Sequence, residues 1–134
     1  MGTEQYHEPP SELPAETRTF ARMCASLSEE AEAIGWYVQR IAVEPDAQSR
    51  AIMHDSLGEE FKHFSMELEF LLRRTPLWRE IARGILFTDG DIVQHGEASE
   101  AAATGDADGD RGGPQDGTAG NQDGTGNGSG VSGM

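Results

Sequence analysis

A proline between two acids, in the run Glu44-Pro45-Asp46, divides the one long stretch of this sequence that has a regular apolar pattern. Apolar residues recur at helical spacing from Ala15 to about Val43, and again from about Ala47 to Arg74. Pro45 ends the first helix because a proline disfavours helical geometry in the residue before it, and Asp46 is a good cap for the next helix. The sequence therefore predicts two long antiparallel helices joined by a tight turn.

Three further segments complete the predicted organisation. Residues 1–14 contain three prolines and predict an extended arm, and Thr75-Pro76 begins a short third helix that ends near Phe87. From Thr88 onwards there are thirteen glycines, nine acids, one arginine and no aromatic residue. This composition predicts a disordered acidic tail over residues 89–134. The predicted fold class is all-α, with one helical domain at residues 15–88.

The charge of the chain favours cations as partners. The formal net charge is −14, of which −8 falls on the tail and −6 on residues 1–87. Nucleic acid is therefore not an expected partner. No run of 18 apolar residues and no signal peptide is present, so we expect no membrane association and a cytoplasmic location. The single cysteine, Cys24, permits no disulfide within the chain and is interpreted as a small core residue.

Carboxylates and a histidine replace apolar residues on the inward faces of both long helices. Glu60 and His63 are three residues apart on the apolar face of the second helix, where both side chains can reach one ion. Glu30 holds the equivalent place on the first helix. Glu30 and Glu60 are each fifteen residues from Pro45, so antiparallel helices bring them to one level, about 22 Å from the turn. The sequence thus predicts that Glu30, Glu60 and His63 converge; the competing interpretation is that they are partly solvated residues with ordinary hydrogen bonds.

One Glu plus one Glu-x-x-His is half of a di-iron carboxylate site, which needs four helices. This chain has two long helices, so a complete site requires two copies related by a two-fold axis, with four carboxylates and two imidazoles. Zinc is a poorer match because structural zinc sites prefer cysteine ligands. The run Asp106-x-Asp108-x-Asp110 does not form a calcium loop, because Arg111 stands where that loop needs glycine.

Four motifs cover nearly all of the predicted helical region and part of the arm. They are Ser28-Glu29-Glu30-x-Glu32-Ala33-x-x-Trp36-Tyr37, Glu59-Glu60-x-x-His63, Leu86-Phe87-Thr88, and, in the arm, Glu4-Gln5 with His7-Glu8-Pro9. The first two are most specific as a pair. In these motifs the chain resembles the encapsulated ferritins, two-helix relatives of ferritin that are cargo of encapsulin nanocompartments.

The resemblance implies a function and an assembly. It implies an antiparallel dimer that forms a four-helix ferritin-like bundle, with a ferroxidase centre of two irons at the dimer interface. Five such dimers would close into a decameric ring, which oxidises Fe(II) with oxygen for storage inside an encapsulin shell.

The resemblance also implies residue roles. Glu30, Glu60 and His63 match the metal-binding catalytic residues of the family, and Tyr37 matches a catalytic aromatic beside the centre. The positions by which metal enters are matched by Glu29, Glu32 and Trp36. Calcium at secondary acidic sites is a further expectation.

The C-terminal end departs from the family pattern. Encapsulin cargo usually ends in a short apolar peptide that contains leucine, whereas the last seven residues here offer only Val131 and Met134. Ile92 and Val93 are then alternative targeting residues. The functional alternative to a ferroxidase is a non-catalytic, acidic helical oligomer that buffers divalent metals or acts as an assembly adaptor.

Overall fold

The computed structural model describes residues 5–105, which form four α-helices and one short 3-10 helix. No strand occurs among these residues, so the all-α prediction is confirmed. The helices run in the order α1 (Ala15–Val43), α2 (Ala47–Arg74), α3 (Pro76–Arg83) and α4 (Ile92–Thr104). Glu4 of the predicted arm and residues 106–134 of the predicted tail, including the Asp106–Asp110 run, lie outside the described residues.

The turn between α1 and α2 is held by local hydrogen bonds around Pro45. The Asp46 side chain caps α2 as predicted, because its Oδ1 accepts from the Ser49 backbone N–H at 2.7 Å. Arg50 donates from Nη2 to the Glu44 carbonyl oxygen at 2.6 Å and from Nε at 3.1 Å. These bonds fix where α1 stops and α2 starts, and therefore fix the register of the hairpin.

The core lies between the two long helices and at the C-terminal end of α2. Leu57, one turn before Glu60, is buried, and Leu71 is fully buried. Leu72 of α2 and Ala82 of α3 are also buried, since α3 folds back against the end of α2. This small core leaves apolar residues exposed on both long helices, among them Trp36, Ile52, Phe61 and Met66.

The prediction that residues 89–134 form one disordered tail is wrong for residues 92–104, which form α4. Asp91 caps this helix by accepting from the backbone N–H groups of Val93 at 2.9 Å and Gln94 at 3.1 Å. The helix is rich in alanine, the best helix former, and ends at Gly105, which has φ = 73°. Local signals therefore override the glycine-rich average composition of the tail.

Helix α4 packs on α3 through a close backbone approach. The Ser99 hydroxyl donates to the Ile81 carbonyl oxygen at 2.7 Å, near the end of α3. A Cβ atom added at Gly84 would lie 2.3 Å from Ser99 Oγ, so the contact requires a glycine at this position. The C-terminal end of α3 is thus covered by α4, a helix that the sequence did not predict.

The N-terminal arm is extended only in part. Pro10–Glu12 form a 3-10 helix, with the Glu12 backbone N–H donating to the Pro9 carbonyl oxygen at 2.9 Å. Proline fits the first turn of such a helix because its missing N–H would have no partner there. Within residues 5–105, none of the helices combines the length and apolar character that crossing a membrane requires.

Candidate metal centre

The structure brings together the three residues that the sequence singled out. Glu30 lies on α1, and Glu60 and His63 lie on α2, near the middle of the hairpin. Each offers one ligand atom, and these atoms all lie within 4.8 Å of one another. We call these residues the carboxylate–histidine cluster. It forms because Glu30 and Glu60 are equally far from the turn and both point toward the opposite helix.

The histidine of the cluster faces carboxylates on both sides of its ring. His63 Nδ1 is 3.6 Å from Glu60 Oε2 and 4.0 Å from Glu30 Oε2, while His63 Nε2 is 3.9 Å from Glu59 Oε2. These distances are too long for hydrogen bonds. The side chains of Glu30 and Glu60 are each 20% exposed and that of His63 is 44% exposed, so the cluster is open on the histidine side.

One carboxyl group of the cluster has a raised pKa because of the other. The hydrogen bond with Glu60, together with burial, raises the pKa of Glu30 to about 7. The negative charges of Glu60 and Glu67 act in the same direction, and the charge of His63 opposes them. A hydrogen bond between two carboxyl groups requires a proton on one of them, so the raised pKa of Glu30 favours its protonated form in the metal-free chain below about pH 7.

The cluster fits a divalent transition-metal ion. Ligand atoms about 2.1 Å from one ion lie about 3 to 3.5 Å from each other. The Nδ1–Oε2 distances of 3.6 and 4.0 Å are within about half an ångström of that range, so small side-chain rotations are sufficient. Two carboxylates and an imidazole suit Fe(II), Mn(II) or Zn(II) rather than a soft metal, since no thiolate is part of the set.

The remaining predicted residues do not join the cluster. Glu29 and Glu32 are exposed on α1, and Trp36 is exposed one turn beyond Glu32. Tyr37 is half-buried on the inward side of α1, two turns beyond Glu30. The roles of these four residues in metal uptake or catalysis stay predictions.

Arg40 is a neighbour of the aromatic pair that the sequence analysis did not identify. Its guanidinium carbon lies 5.6 Å from the centre of the Tyr37 ring and 6.0 Å from that of Trp36. This is within the range of a cation–π interaction. Arg40 follows Tyr37 by three residues and Trp36 by four, and side chains at these spacings meet on one side of a helix, so the sequence already indicated the contact.

Glu67 is a second residue that the sequence analysis missed. It is half-buried on α2, and its charge is one of the causes that raise the pKa of Glu30. The available signal was its spacing: it follows His63 by four residues and Glu60 by seven, in phase with the inward face. Glu59, by contrast, is exposed and forms an ion pair with Lys62, which lowers the pKa of the Glu59 carboxyl.

Comparison with known proteins shows the family to which the chain belongs. The EncFtn-like family model matches residues 5–89, which is more than half of the chain. A ferritin-like protein from Thermotoga maritima is 45% identical over 91 residues, covering 68% of this chain and 80% of the relative. An encapsulated ferritin-like protein from Rhodospirillum rubrum is 41% identical over 98 residues, covering 73% of this chain and 67% of the relative.

A solved structure has the same fold. The crystal structure of protein NE0167 from Nitrosomonas europaea superposes with a TM-score of 0.63 at 38% sequence identity. The match covers 65% of this chain and 96% of that one. The chain therefore belongs to the EncFtn-like family, in agreement with the resemblance to encapsulated ferritins in its sequence.

Proposed function

We propose that the protein is a ferroxidase, which oxidises Fe(II) to Fe(III) with oxygen at a di-iron site formed by two copies of the chain. The observation that carries the proposal is the convergence of Glu30, Glu60 and His63, with ligand atoms within 4.8 Å of one another. Membership of a ferritin-like family supports iron as the metal.

The residues of the cluster have distinct roles in this proposal. Glu60 would be a ligand shared by the two iron ions, and Glu30 and His63 would complete the set that holds them. Carboxylates stabilise Fe(III), the harder cation, more than Fe(II), which favours loss of an electron to oxygen. Glu30 gives up its proton as Fe(II) binds, because a ligating carboxylate is ionised. The oxidised iron then leaves as an oxo-hydroxide.

The exposed surface around the cluster supports the participation of a second copy. Ile52 and Met66 lie seven residues on either side of Glu59, on the same side of α2 as His63, and both are exposed. Trp36 of α1 is also exposed. Apolar residues beside a half-open ligand set favour burial against another protein surface. A two-fold axis at this face would supply four carboxylates and two imidazoles.

The wider assembly is part of the proposal. A relative from R. rubrum is named as an encapsulated ferritin-like protein, which supports an encapsulin shell as partner and as location for this chain. A decameric ring of five dimers follows from the family resemblance. Calcium at secondary acidic positions, and shell targeting through Ile92 and Val93, stay predictions.

Anaerobic addition of Fe(II), followed by air, tests the oxidation directly. Rapid growth of near-ultraviolet absorbance is expected from the wild-type protein, with much slower growth from Glu30→Ala, Glu60→Ala and His63→Ala. Each substitution removes two ligands from a symmetric site. Glu69→Ala is the matched control, because Glu69 lies on the same helix but is outside the cluster, and its Oε1 accepts from Arg73 Nε at 2.9 Å.

Two outcomes would contradict the proposal. If wild-type protein oxidises Fe(II) no faster than a protein-free solution, the alternative of a metal-buffering oligomer or assembly adaptor is the better account. Native mass measurement tests the shared site, since metal binding should drive association of chains. If native mass measurement finds only the monomer both with and without Fe(II), a site between two copies is excluded.

A further inference from the structure

The carboxylate–histidine cluster lies near the midpoint of the hairpin, so a two-fold axis there can align the whole length of two copies. Helices α1 and α2 have 29 and 28 residues, and Glu30 and Glu60 lie near the middle of each. An axis that passes through the cluster and across the helices reverses the second copy. It therefore places the turn of one copy at the level of the open end of the other, where α1 begins and α2 ends.

The open end of the hairpin carries a groove of about 630 Å³. Its lining comes from the first two turns of α1 and the end of α2, and consists of Ala15, Glu16, Thr17, Thr19, Phe20 and Arg74. Arg74 follows His63 by eleven residues, about three helical turns, so both lie on the same side of α2. One wall of the groove is therefore on the face that carries the cluster.

Arg74 is positioned at this end as a positive charge without an acidic partner. Its guanidinium carbon lies 3.5 Å from the centre of the Phe70 ring, and its Nη1 donates weakly to the Phe70 carbonyl oxygen at 3.4 Å. Within residues 5–105, Arg74 forms no ion pair, whereas the neighbouring Arg73 pairs with Glu69 at 2.9 Å. Arg74 is exposed, so a carboxylate on a second surface can reach it.

The turn of the hairpin carries an exposed apolar side chain beside an acid. Val43, the last residue of α1, is 80% exposed. It follows Trp36 by seven residues, so the two lie on the same side of α1. Glu44 comes next, and its Oε1 accepts from the Asp46 backbone N–H at 2.9 Å, which leaves Oε2 for a donor on another chain. The turn thus presents one apolar and one acidic group next to each other.

The two ends of the hairpin match in level and in charge. Glu44 is fourteen residues from Glu30, and Arg74 is fourteen residues from Glu60, which is about 21 Å from the cluster in each case. In the reversed arrangement, Glu44 of one copy and Arg74 of the other lie at one level. An axis parallel to the helices would instead bring turn to turn, so that Glu44 faces its own copy. Opposite charges favour the reversed arrangement, and like charges oppose the parallel one.

We propose that the groove at the open end of each hairpin receives the turn of a second copy, with Val43 of the second copy in the groove and Glu44 of the second copy paired with Arg74. The two-fold axis forms this contact twice, once at each end of the dimer. Val43 loses contact with water against Phe20, and the ion pair sets the direction of the chains. This inference rests on the proposed function, because it takes the cluster as the place where two copies meet.

Exchanging the two charges between chains tests the ion pair in the full-length protein. Arg74→Glu alone and Glu44→Lys alone each bring like charges together at both ends, so each should associate at least about tenfold more weakly than the wild type. A mixed dimer of the two variants has one wild-type pair and one pair with exchanged charges. The equimolar mixture should therefore associate about as tightly as the wild type, mainly as mixed dimers.

Sedimentation at low ionic strength measures the association, because charge pairs are least screened there, and native mass measurement identifies the mixed dimers. Saturation with Co(II) occupies the metal site without oxidation of the ion during the measurement. Arg83→Glu is the matched control and should associate as the wild type does, since it makes the same change of charge at an exposed arginine of α3.

The apolar half of the contact has its own test. Val43→Ser should leave the unfolding of the single chain unchanged, because the side chain is 80% exposed there. Association should weaken at least about tenfold, since two valine side chains in each dimer lose their burial. Association equal to that of the wild type would overturn the inference.

The charge variants separate failure of this inference from failure of the proposed function. If the wild type associates with Co(II) and both single variants do so equally well, the contact is wrong while the shared metal site stands. The contact is also wrong if both variants are weak and their mixture is no tighter, because damage within each chain then explains the loss. If the wild type is a monomer with and without Co(II), the shared site of the proposed function is itself excluded.

Discussion

The raised pKa of Glu30 predicts a proton held between Glu30 and Glu60 in the metal-free protein, and the infrared absorption of a protonated carboxyl group tests for it. With a pKa of about 7, Glu30 is about half protonated at pH 7, about nine-tenths at pH 6 and about one-tenth at pH 8. A carboxyl group with a pKa of 4.5 would be protonated in fewer than about one chain in a hundred at pH 7. The difference spectrum between wild type and Glu30→Gln isolates this group.

The structure also predicts how the signal responds to two changes. In Glu60→Gln the amide can donate a hydrogen bond to the ionised Glu30, so the pKa of Glu30 falls and the protonated band at pH 7 is lost. Saturation with Zn(II) should remove the band in the wild type, because a ligating carboxylate is ionised. A band at pH 7 that is the same in wild type and Glu30→Gln would show that the shared proton does not exist. A band that survives Zn(II) would remove Glu30 from the ligand set.

Three further predictions concern stability and the C-terminal helix. First, the pKa of Glu30 is higher in the folded chain than its ordinary value, so the folded state binds more protons between about pH 4.5 and 7. As the pH rises through that window, the free energy of unfolding of the metal-free protein should therefore fall by at most about 3 kcal/mol, and it should stay level above about pH 7. Urea titrations would refute this if the free energy of unfolding of Glu30→Gln fell by the same amount. Second, Gly84→Ala should speed hydrogen exchange in α4, because its Cβ would lie 2.7 Å from Ser99 Cβ, while iron oxidation is unchanged. Gly96→Ala is the control, since a Cβ there meets only Ile85 Cδ1 at 4.0 Å, and equal exchange in both variants would contradict the packing. Third, removal of residues 89–134, which include Ile92 and Val93, should preserve the oligomer and its oxidation rate but abolish co-purification with an encapsulin expressed beside it, whereas loss of the oligomer would contradict a tethering role for this segment.

The hairpin could be predicted from sequence because its signals are local. Pro45 and Asp46 mark the turn within two residues, and a helix has a fixed rise, so distance from the turn determines which residues lie at the same level. The meeting of Glu30 with Glu60 follows from their equal separation from Pro45. This part of the candidate site needs no knowledge of side-chain packing.

The sequence did not predict helix α4 or the properties that depend on packing between α1 and α2, and the reasons differ. Helix α4 was hidden by averaging composition over the whole segment after Thr88, although Asp91 and the alanines near residue 102 are ordinary helix signals. The raised pKa of Glu30 and the half-buried position of Glu67 depend on distances across the helix pair and on burial. Neither can be obtained from the spacing of residues along one helix.

The closure of the hairpin has a consequence for the order in which the protein is made and assembled. The bonds at the turn join residues at most six positions apart, as in the contact of Arg50 with Glu44. Loops this short close rapidly and with little entropy cost, and helical hairpins with local contacts are fast folders. Glu30, Glu60 and His63 can thus come together on a single chain before two chains meet. The half-time for forming each half of the centre is then independent of protein concentration, whereas the half-time for joining the two halves becomes shorter as the concentration rises.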